Sequence, residues 1–232
     1  MYKIGIAIPC YKYHIPVLKR CLDSIEFQTR HPDFVVISCS SSEKKDIPSD
    51  YTTCYSFPVR IYTHRMKMNA AENRNFAATM LLGYGCDILS FFDCDDEMHP
   101  QRLNAIEHSF KSLENCSIVL HNYLYDKDEV SLPFPYYQTI EISMNLLQKS
   151  PTGCAILQSN WRAPIHHSQV TVSKEIFECV QFREDASYAR EGASGGNEDA
   201  LFCGDALALG LPNIYIANPL SKYYQEGTTY DN

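Results

Sequence analysis

The strongest chemical signal in the sequence is an acidic run at the end of an apolar stretch, in residues 91–97 (FFDCDDE). Carboxylates placed this close together repel one another, and a divalent cation among them would offset that repulsion. Mg²⁺ and Mn²⁺ take carboxylate oxygens together with phosphate oxygens and water. Asp93 and Asp95 are therefore candidate metal ligands. The alternative is that one of these acids caps the helix expected to start near Pro100.

Two further groups combine charged residues with predicted helix starts. Arg74 and Asn75 open an alanine-rich segment, where an arginine can hold a phosphate or pair with an acid. Glu198 and Asp199 follow a glycine-rich loop, and Asp199 is a candidate general base if that loop folds over a substrate. Both groups also have a simple structural explanation, because acids are favoured in the first turn of any helix.

Four residues carry weaker signals. Trp161, His166 and His167 stand in the segment 161–168 (WRAPIHHS), and an aromatic face can stack on the apolar face of a sugar. A histidine pair of this kind is more often a packing or surface feature. Lys222, beside two tyrosines near the C-terminus, could approach a diphosphate or simply belong to a tail. The sequence leaves both interpretations open.

Strand-like and helix-like segments alternate through the first half of the chain, and they must position the candidate residues. The predicted strands are residues 3–8, 34–39, 59–63, 86–92 and 117–120, and the predicted helices are residues 15–28, 70–83 and 100–113. Such alternation predicts an α/β fold with a mostly parallel central sheet covered by helices on both faces. Ligands of these sheets bind beyond the carboxyl ends of the strands, which selects the loops 9–14, 40–46 and 93–99.

The second half, from about residue 123, is less regular and is rich in proline and tyrosine. It regains a predicted strand at 169–172 and helices at 174–180 and 198–209. No repeat or linker divides the chain. We therefore predict one domain, 1–232, with a first half of about 1–122 and an irregular second half of about 123–232.

Composition limits the class of protein. The 232 residues include 20 basic and 28 acidic side chains, a net charge of −8, so no overall attraction to nucleic acid or anionic lipid is expected. No apolar run approaches the roughly 20 residues of a membrane span. The ten cysteines form no CxxC pair, which favours reduced thiols. We expect a cytoplasmic protein, or one peripheral at a membrane, with no nucleic-acid partner and no integral membrane segment.

In their order along the chain, these groups resemble the inverting nucleotide-sugar glycosyltransferases of family 2, which have the GT-A fold. The matching segments are Ile8-Pro9-Cys10-Tyr11, the loop 40–43, Asn73-Arg74-Asn75, the DxD motif Asp93-Cys94-Asp95, and Glu198-Asp199. The resemblance covers about residues 3–210. It implies a GT-A-type, Rossmann-like sheet whose first half binds the nucleotide sugar and whose second half binds the acceptor.

The resemblance also implies roles. The implied donor-binding residues are Pro9, Tyr11, Ser41, Glu43, Arg74, Asn75, Asp93 and Asp95. Asp95, with Asp93, would hold Mn²⁺ or Mg²⁺ at the diphosphate, and Asp93 would also contact the ribose or base. Asp199, beside Glu198, would deprotonate the acceptor hydroxyl for attack with inversion. A UDP-sugar is the favoured donor, with GDP- and dTDP-sugars as alternatives, and the acceptor is a glycan or glycoconjugate.

The second-strand loop departs from the family. Family members usually carry an aspartate there, where this chain has Ser40-Ser41-Ser42-Glu43, so Glu43 or Asp46 is expected to substitute. The chain also lacks the additions of processive synthases, which favours single transfer.

Two alternatives from other classes stay open. Residues 92–95 (FDCD) superficially match the nucleophile motif of haloacid-dehalogenase-like phosphatases. However, Glu97 stands where that chemistry needs Thr or Val, and three strands precede the motif. The other alternative is an inactive module that binds sugar nucleotides or carbohydrate.

Overall fold

The computed structural model describes residues 2–127, 142–145, 147–149, 155–157, 167–187 and 198–224. Its strands are β1 (Ile4–Tyr11), β2 (Phe34–Ser40), β3 (Val59–His64), β4 (Ile88–Phe91), β5 (Glu97–Met98), β6 (Ile118–Tyr125), β7 (Ile142–Met144), β8 (Leu147–Lys149), β9 (Ala155–Leu157), β10 (Val170–Ser173) and β11 (Asn213–Tyr223). Its α-helices are α1 (Leu18–Glu26), α2 (Ala70–Gly83), α3 (Arg102–Ser112), α4 (Lys174–Cys179) and α5 (Glu198–Leu207).

Nine of the described strands form one sheet in the order β3-β2-β1-β4-β10-β6-β11-β5, with β7 paired to β11 beside this path. The strands β3, β2, β1 and β4 are mutually parallel. β10 is antiparallel to both of its neighbours, whereas β11 runs parallel to β6. The predicted α/β class with a mostly parallel sheet is confirmed. Strands from both halves of the chain lie in the same sheet.

The sheet is covered on both faces, as the alternation predicts. Ile4, Ile6 and Ile8 of β1 lie in the core that includes α1 and α3. Ala7 lies in the opposite core, which includes α2, α4 and α5. Gly5 also faces α2, and a Cβ at this position would lie only 2.6 Å from the side chain of Leu81. A glycine is therefore needed for α2 to pack this closely against β1.

Two element boundaries differ from the sequence prediction. Helix α3 begins at Arg102 with Gln101 as N-cap, so none of the acids in 93–97 caps it. The 11-residue strand β11 lies where no strand was predicted. It contains Asn218-Pro219, and its register against β6 shifts on both sides of Pro219. A proline inside a strand usually argues against the strand, and here irregular pairing accommodates it.

Candidate active site

The acidic turn, defined here as residues 93–97, follows β4 at the carboxyl edge of the sheet. Strands β1 and β2 end at the same edge, where Tyr11 is the register partner of Ser40. The N-terminal turns of α2 approach this edge with Arg74, and the first turn of α5 brings Glu198 and Asp199. Elements far apart in sequence therefore place their polar side chains together.

Arg74 joins the two groups of acids. Its side chain is buried, and its Nη2 donates to Asp93 Oδ1 at 2.8 Å while its Nη1 donates to Glu198 Oε1 at 3.1 Å. Burial lowers the pKa of Arg74, but the charges of Asp93 and Glu198 outweigh this effect and raise it overall. The guanidinium is therefore a permanent cation between the acidic turn and the start of α5.

The acids of the turn are crowded and largely removed from water. Burial, followed by the charge of Asp93, raises the pKa of Asp95. Burial and the charges of Asp93 and Asp95 raise the pKa of Asp96 well above its usual range. A contact with the Cys94 thiol and the charges of Asp95 and Asp93 raise the pKa of His14 to about 9. Burial and mutual repulsion thus disfavour the ionised forms of Asp95 and Asp96, and a cation at the turn would favour them.

The chemistry of the turn fits a hard divalent cation. Asp93 and Asp95 offer oxygen donors, and the described residues contain no group of three or more His, Cys, Asp or Glu side chains placed to hold a metal. Two carboxylates make an open site rather than a closed cage. Mg²⁺ and Mn²⁺ suit such a site, because they keep water ligands and take substrate phosphate oxygens.

The predicted general base lies at the same place. Asp199 and Glu198 are both buried in the first turn of α5. The charge of Asp199 also contributes to the raised pKa of Arg74, so the two side chains are within electrostatic range. One Asp199 oxygen accepts the Ala200 backbone N–H at 2.7 Å, which fixes the carboxylate against its own helix.

The residues predicted to hold the base and ribose lie along the ends of β1 and β2. Pro9 is buried within β1 opposite Ser38. The Tyr11 ring meets the Tyr13 ring edge to face, with centroids 5.4 Å apart. Ser41 has a left-handed backbone with φ of 55°, and its N–H donates to the Met66 carbonyl.

Glu43 forms salt bridges with Lys45 and Arg65 at 3.1 and 3.4 Å. It is also the N-cap residue of the 3₁₀ turn Lys44–Asp46. The loop after β2 therefore has a defined shape built by its own charges.

Five further residues were predicted at the site. Asn75 bonds to the backbone N–H and C=O of Phe182 at 3.0 and 2.9 Å, so it ties α2 to the segment before α5. Lys222 belongs to β11 rather than to a tail, and its Nζ lies 5.3 Å from the Tyr224 ring centroid. His167 begins a 3₁₀ turn, and its side chain lies outside the description. Trp161 and His166 lie outside the described residues.

Several residues at the turn were not predicted. Asp96 lies in the acidic run and Ser168 at the end of the segment 161–168, but the sequence predicted no functional role for either residue. Arg20 donates to the Asp95 carbonyl oxygen, and its guanidinium stacks on the Tyr224 ring at 3.6 Å. Nothing in the sequence near Arg20 or Tyr224 indicated this contact.

Comparison with known proteins decides the family. The profile described as glycosyl transferase family 2 matches residues 5–166, more than half of the chain. The chain belongs to glycosyl transferase family 2. No curated protein matches it. This membership argues against the phosphatase alternative and agrees with the resemblance carried by the motifs.

Solved structures confirm the GT-A-type fold of this family 2 chain. Residues 1–349 of S. aureus TarS, in complex with UDP-GlcNAc, match with a TM-score of 0.69 and 13% identity over 96% of this chain and 58% of that one. The mannosyltransferase PcManGT from Pyrobaculum calidifontis, in complex with GDP-Man and Mn²⁺, matches with a TM-score of 0.59 and 15% identity over 97% and 56%. The family 2 chain thus spans little more than half the length of these two chains, and about a third (36%) of the longer TarS chain.

The described helices of this family 2 protein include none that is both long and apolar enough to cross a membrane.

Proposed function

We propose that this family 2 chain transfers a sugar from a nucleotide-sugar donor to a hydroxyl group of a glycan or glycoconjugate, with Mn²⁺ or Mg²⁺ and with inversion. The observation that carries the proposal is the Arg74 bridge. It joins Asp93 of the acidic turn to Glu198, the neighbour of Asp199, at the carboxyl edge of the sheet. A donor site and a general base are both needed there for direct transfer.

On the donor side, Asp93 and Asp95 would hold the cation at the diphosphate. When bound, the cation supplies Lewis-acid stabilisation of the departing nucleoside diphosphate. Arg74 fixes Asp93 in place through the 2.8 Å hydrogen bond. The two similar structures are complexes with UDP-GlcNAc and GDP-Man, which supports a nucleotide-sugar donor for this chain and favours UDP or GDP as its leaving group.

On the acceptor side, Asp199 would take the proton of the attacking hydroxyl. The acceptor oxygen forms a bond to the anomeric carbon as the bond from that carbon to the diphosphate oxygen breaks. The proton moves to Asp199, the electron pair leaves with the nucleoside diphosphate, and the configuration inverts. A positioned base of this kind contributes about 10²- to 10⁴-fold to the rate.

Donor binding is tested by thermal unfolding with UDP-, GDP- and dTDP-sugars, each with Mn²⁺ or with EDTA. A ligand at a hundred times its Kd adds about 2.7 kcal/mol to the free energy of unfolding. We expect one nucleotide to raise the melting temperature only with Mn²⁺. Asp95→Asn should lose this shift, whereas Asp50→Asn, a control at an exposed residue, should keep it.

Turnover is measured as nucleoside diphosphate released from the donor that binds. Asp199→Asn is expected to keep the Mn²⁺-dependent thermal shift and to lose about 10²-fold or more of the release rate. Absence of binding by every donor would reject the proposed function. Binding without release, from the wild-type protein with any acceptor, would favour the inactive binding module.

A further inference from the structure

The acidic turn is held by residues that the proposed chemistry does not use. Asp96, at the centre of this arrangement, is completely buried, although the proposed mechanism gives it no contact with donor or acceptor. A carboxylate is costly to bury unless its oxygens accept hydrogen bonds. The partners of Asp96 come from two segments far along the chain.

Ser168 links two residues of the turn through one hydroxyl group. Its Oγ accepts the backbone N–H of Asp93 at 3.0 Å and donates its own proton to Asp96 Oδ2. Ser168 is also buried, so water does not compete for these bonds. The hydroxyl therefore links the backbone of Asp93 to the side chain of Asp96, the first and fourth residues of the turn.

The end of the C-terminal strand supplies the other Asp96 bond. The backbone N–H of Tyr224, just after β11, donates to Asp96 Oδ1 at 3.1 Å. The Tyr224 hydroxyl donates to Glu97 Oε2 at 2.8 Å. Both oxygens of Asp96 thus accept hydrogen bonds from the protein.

The backbone carbonyl of Ser168 is in turn bonded to Arg102, a buried arginine of α3. Arg102 Nη2 donates to the carbonyl oxygens of Phe91 and Ser168 at 3.2 and 3.1 Å. The other guanidinium nitrogens of Arg102 are also bonded: Nη1 donates to Ser90 Oγ at 2.7 Å, and Nε donates to His121 Nε2 at 2.7 Å. Phe91 is the last residue of β4, the strand that precedes the acidic turn. The Arg102 guanidinium therefore holds the end of β4 and Ser168 at a fixed separation.

We propose that Ser168 and Asp96 are positioning residues, which hold the backbone of the acidic turn so that Asp93 and Asp95 keep the geometry needed for the divalent cation and the diphosphate. The inference rests on the proposed function, because it takes Asp93 and Asp95 as the ligands. Groups that orient metal ligands typically change metal affinity by 10- to 100-fold when they are removed.

A matched pair of serines separates positioning from general stability. Ser168 and Ser109 are both buried, and each hydroxyl donates one hydrogen bond, Ser109 to the Ala105 carbonyl inside α3. Ser168→Ala and Ser109→Ala each remove one buried hydroxyl oxygen, and the melting temperature should fall more in Ser168→Ala, because the buried Asp96 carboxylate loses a donor there. Only Ser168→Ala removes the bond to the Asp93 amide.

The first measurement needs no ligand. Amide hydrogen exchange at Asp93 should become about tenfold faster in Ser168→Ala and in Asp96→Asn, and should stay unchanged in Ser109→Ala. The double variant Ser168→Ala/Asp96→Asn should resemble the more affected single variant, because the two residues act through one hydrogen-bond chain. An unchanged Asp93 exchange rate in Ser168→Ala would overturn the inference.

The second measurement uses Mn²⁺ with UDP or GDP, followed by the electron paramagnetic resonance signal of free Mn²⁺. We expect the affinity to fall 10- to 100-fold in Ser168→Ala and in Asp96→Asn, and to fall less than twofold in Ser109→Ala. Faster exchange with unchanged Mn²⁺ affinity would overturn the positioning role while leaving the proposed function intact. Absence of Mn²⁺ binding by the wild-type protein would reject both the metal-dependent function and this role.

Discussion

Arg74 is the residue on which the candidate site depends most directly. Its two acidic partners, Asp93 and Glu198, are 19 and 124 residues away along the chain, and both contacts are within hydrogen-bond distance. A buried cation between two carboxylates stabilises the folded state less than its Coulomb energy suggests, because all three groups lose water. Removing the cation alone is much worse, since two acids then remain close together without it.

The first prediction follows from this asymmetry. Arg74→Met is expected to lower the free energy of unfolding by about 3–5 kcal/mol, the cost of breaking a buried ion pair from one side. Urea denaturation measures the loss. The control Arg60→Met removes an exposed arginine from β3 and should change stability by less than about 0.5 kcal/mol. Equal effects of the two substitutions would show that the Arg74 bridge contributes little to the free energy of unfolding.

The individual site residues differ in how far the sequence could predict them. The spacing of Asp93 and Asp95 gave their position after a strand, and Arg74 was expected to meet either a phosphate or an acid. Ser168 acts through a backbone amide of another segment, and such contacts depend on tertiary placement rather than on residue type. A lone serine has no sequence signal for this role.

At the scale of elements, the start of α2 sets where Arg74 lies. Asn69 Oδ1 accepts the Glu72 N–H at 2.8 Å, and Glu72 Oε2 accepts the Asn69 N–H at 2.6 Å. This capping box satisfies two backbone donors at the helix end. The helix therefore begins at a defined residue, and Arg74 follows in its second turn.

The second prediction concerns this cap. Asn69→Ala is expected to cost about 1 kcal/mol of stability, because the Glu72 amide loses its acceptor. The matched control is Asn104→Ala, at an exposed position inside α3. This substitution should raise the free energy of unfolding slightly, since alanine has a higher helix propensity than asparagine. Chemical denaturation of both variants gives the comparison. A stabilised Asn69→Ala protein would contradict the role of the cap.

The elements were predicted well where periodicity was regular and poorly where it was broken. Strands β1 to β4 and helix α2 follow from apolar runs and alanine-rich spacing. Strand β11 was not predicted, because Asn218-Pro219 is a typical turn signal. In the structure the strand continues through these two residues with a shifted register against β6. Pairing with β6, β7 and β5 overrides this local preference, and a single sequence does not reveal which strands will be neighbours.

At the scale of the whole molecule, the two predicted halves share their sheet. β10, from the second half, lies between β4 and β6 and pairs with both. β11 pairs with β6 and with the short β5. Both sheet neighbours of β6 therefore come from beyond residue 122.

The last prediction is that the chain unfolds as one unit, in keeping with the single domain expected from its sequence. Calorimetry should show one transition whose calorimetric and van't Hoff enthalpies agree. A fragment of residues 1–122 should fail to give a cooperative transition, because it ends inside β6 (Ile118–Tyr125) and lacks β10 and β11, the two neighbours of that strand. Addition of residues 123–232 as a separate chain should restore folding only if the two pieces associate through β10 and β11. Two independent transitions in the intact protein would instead contradict the single domain predicted from the sequence.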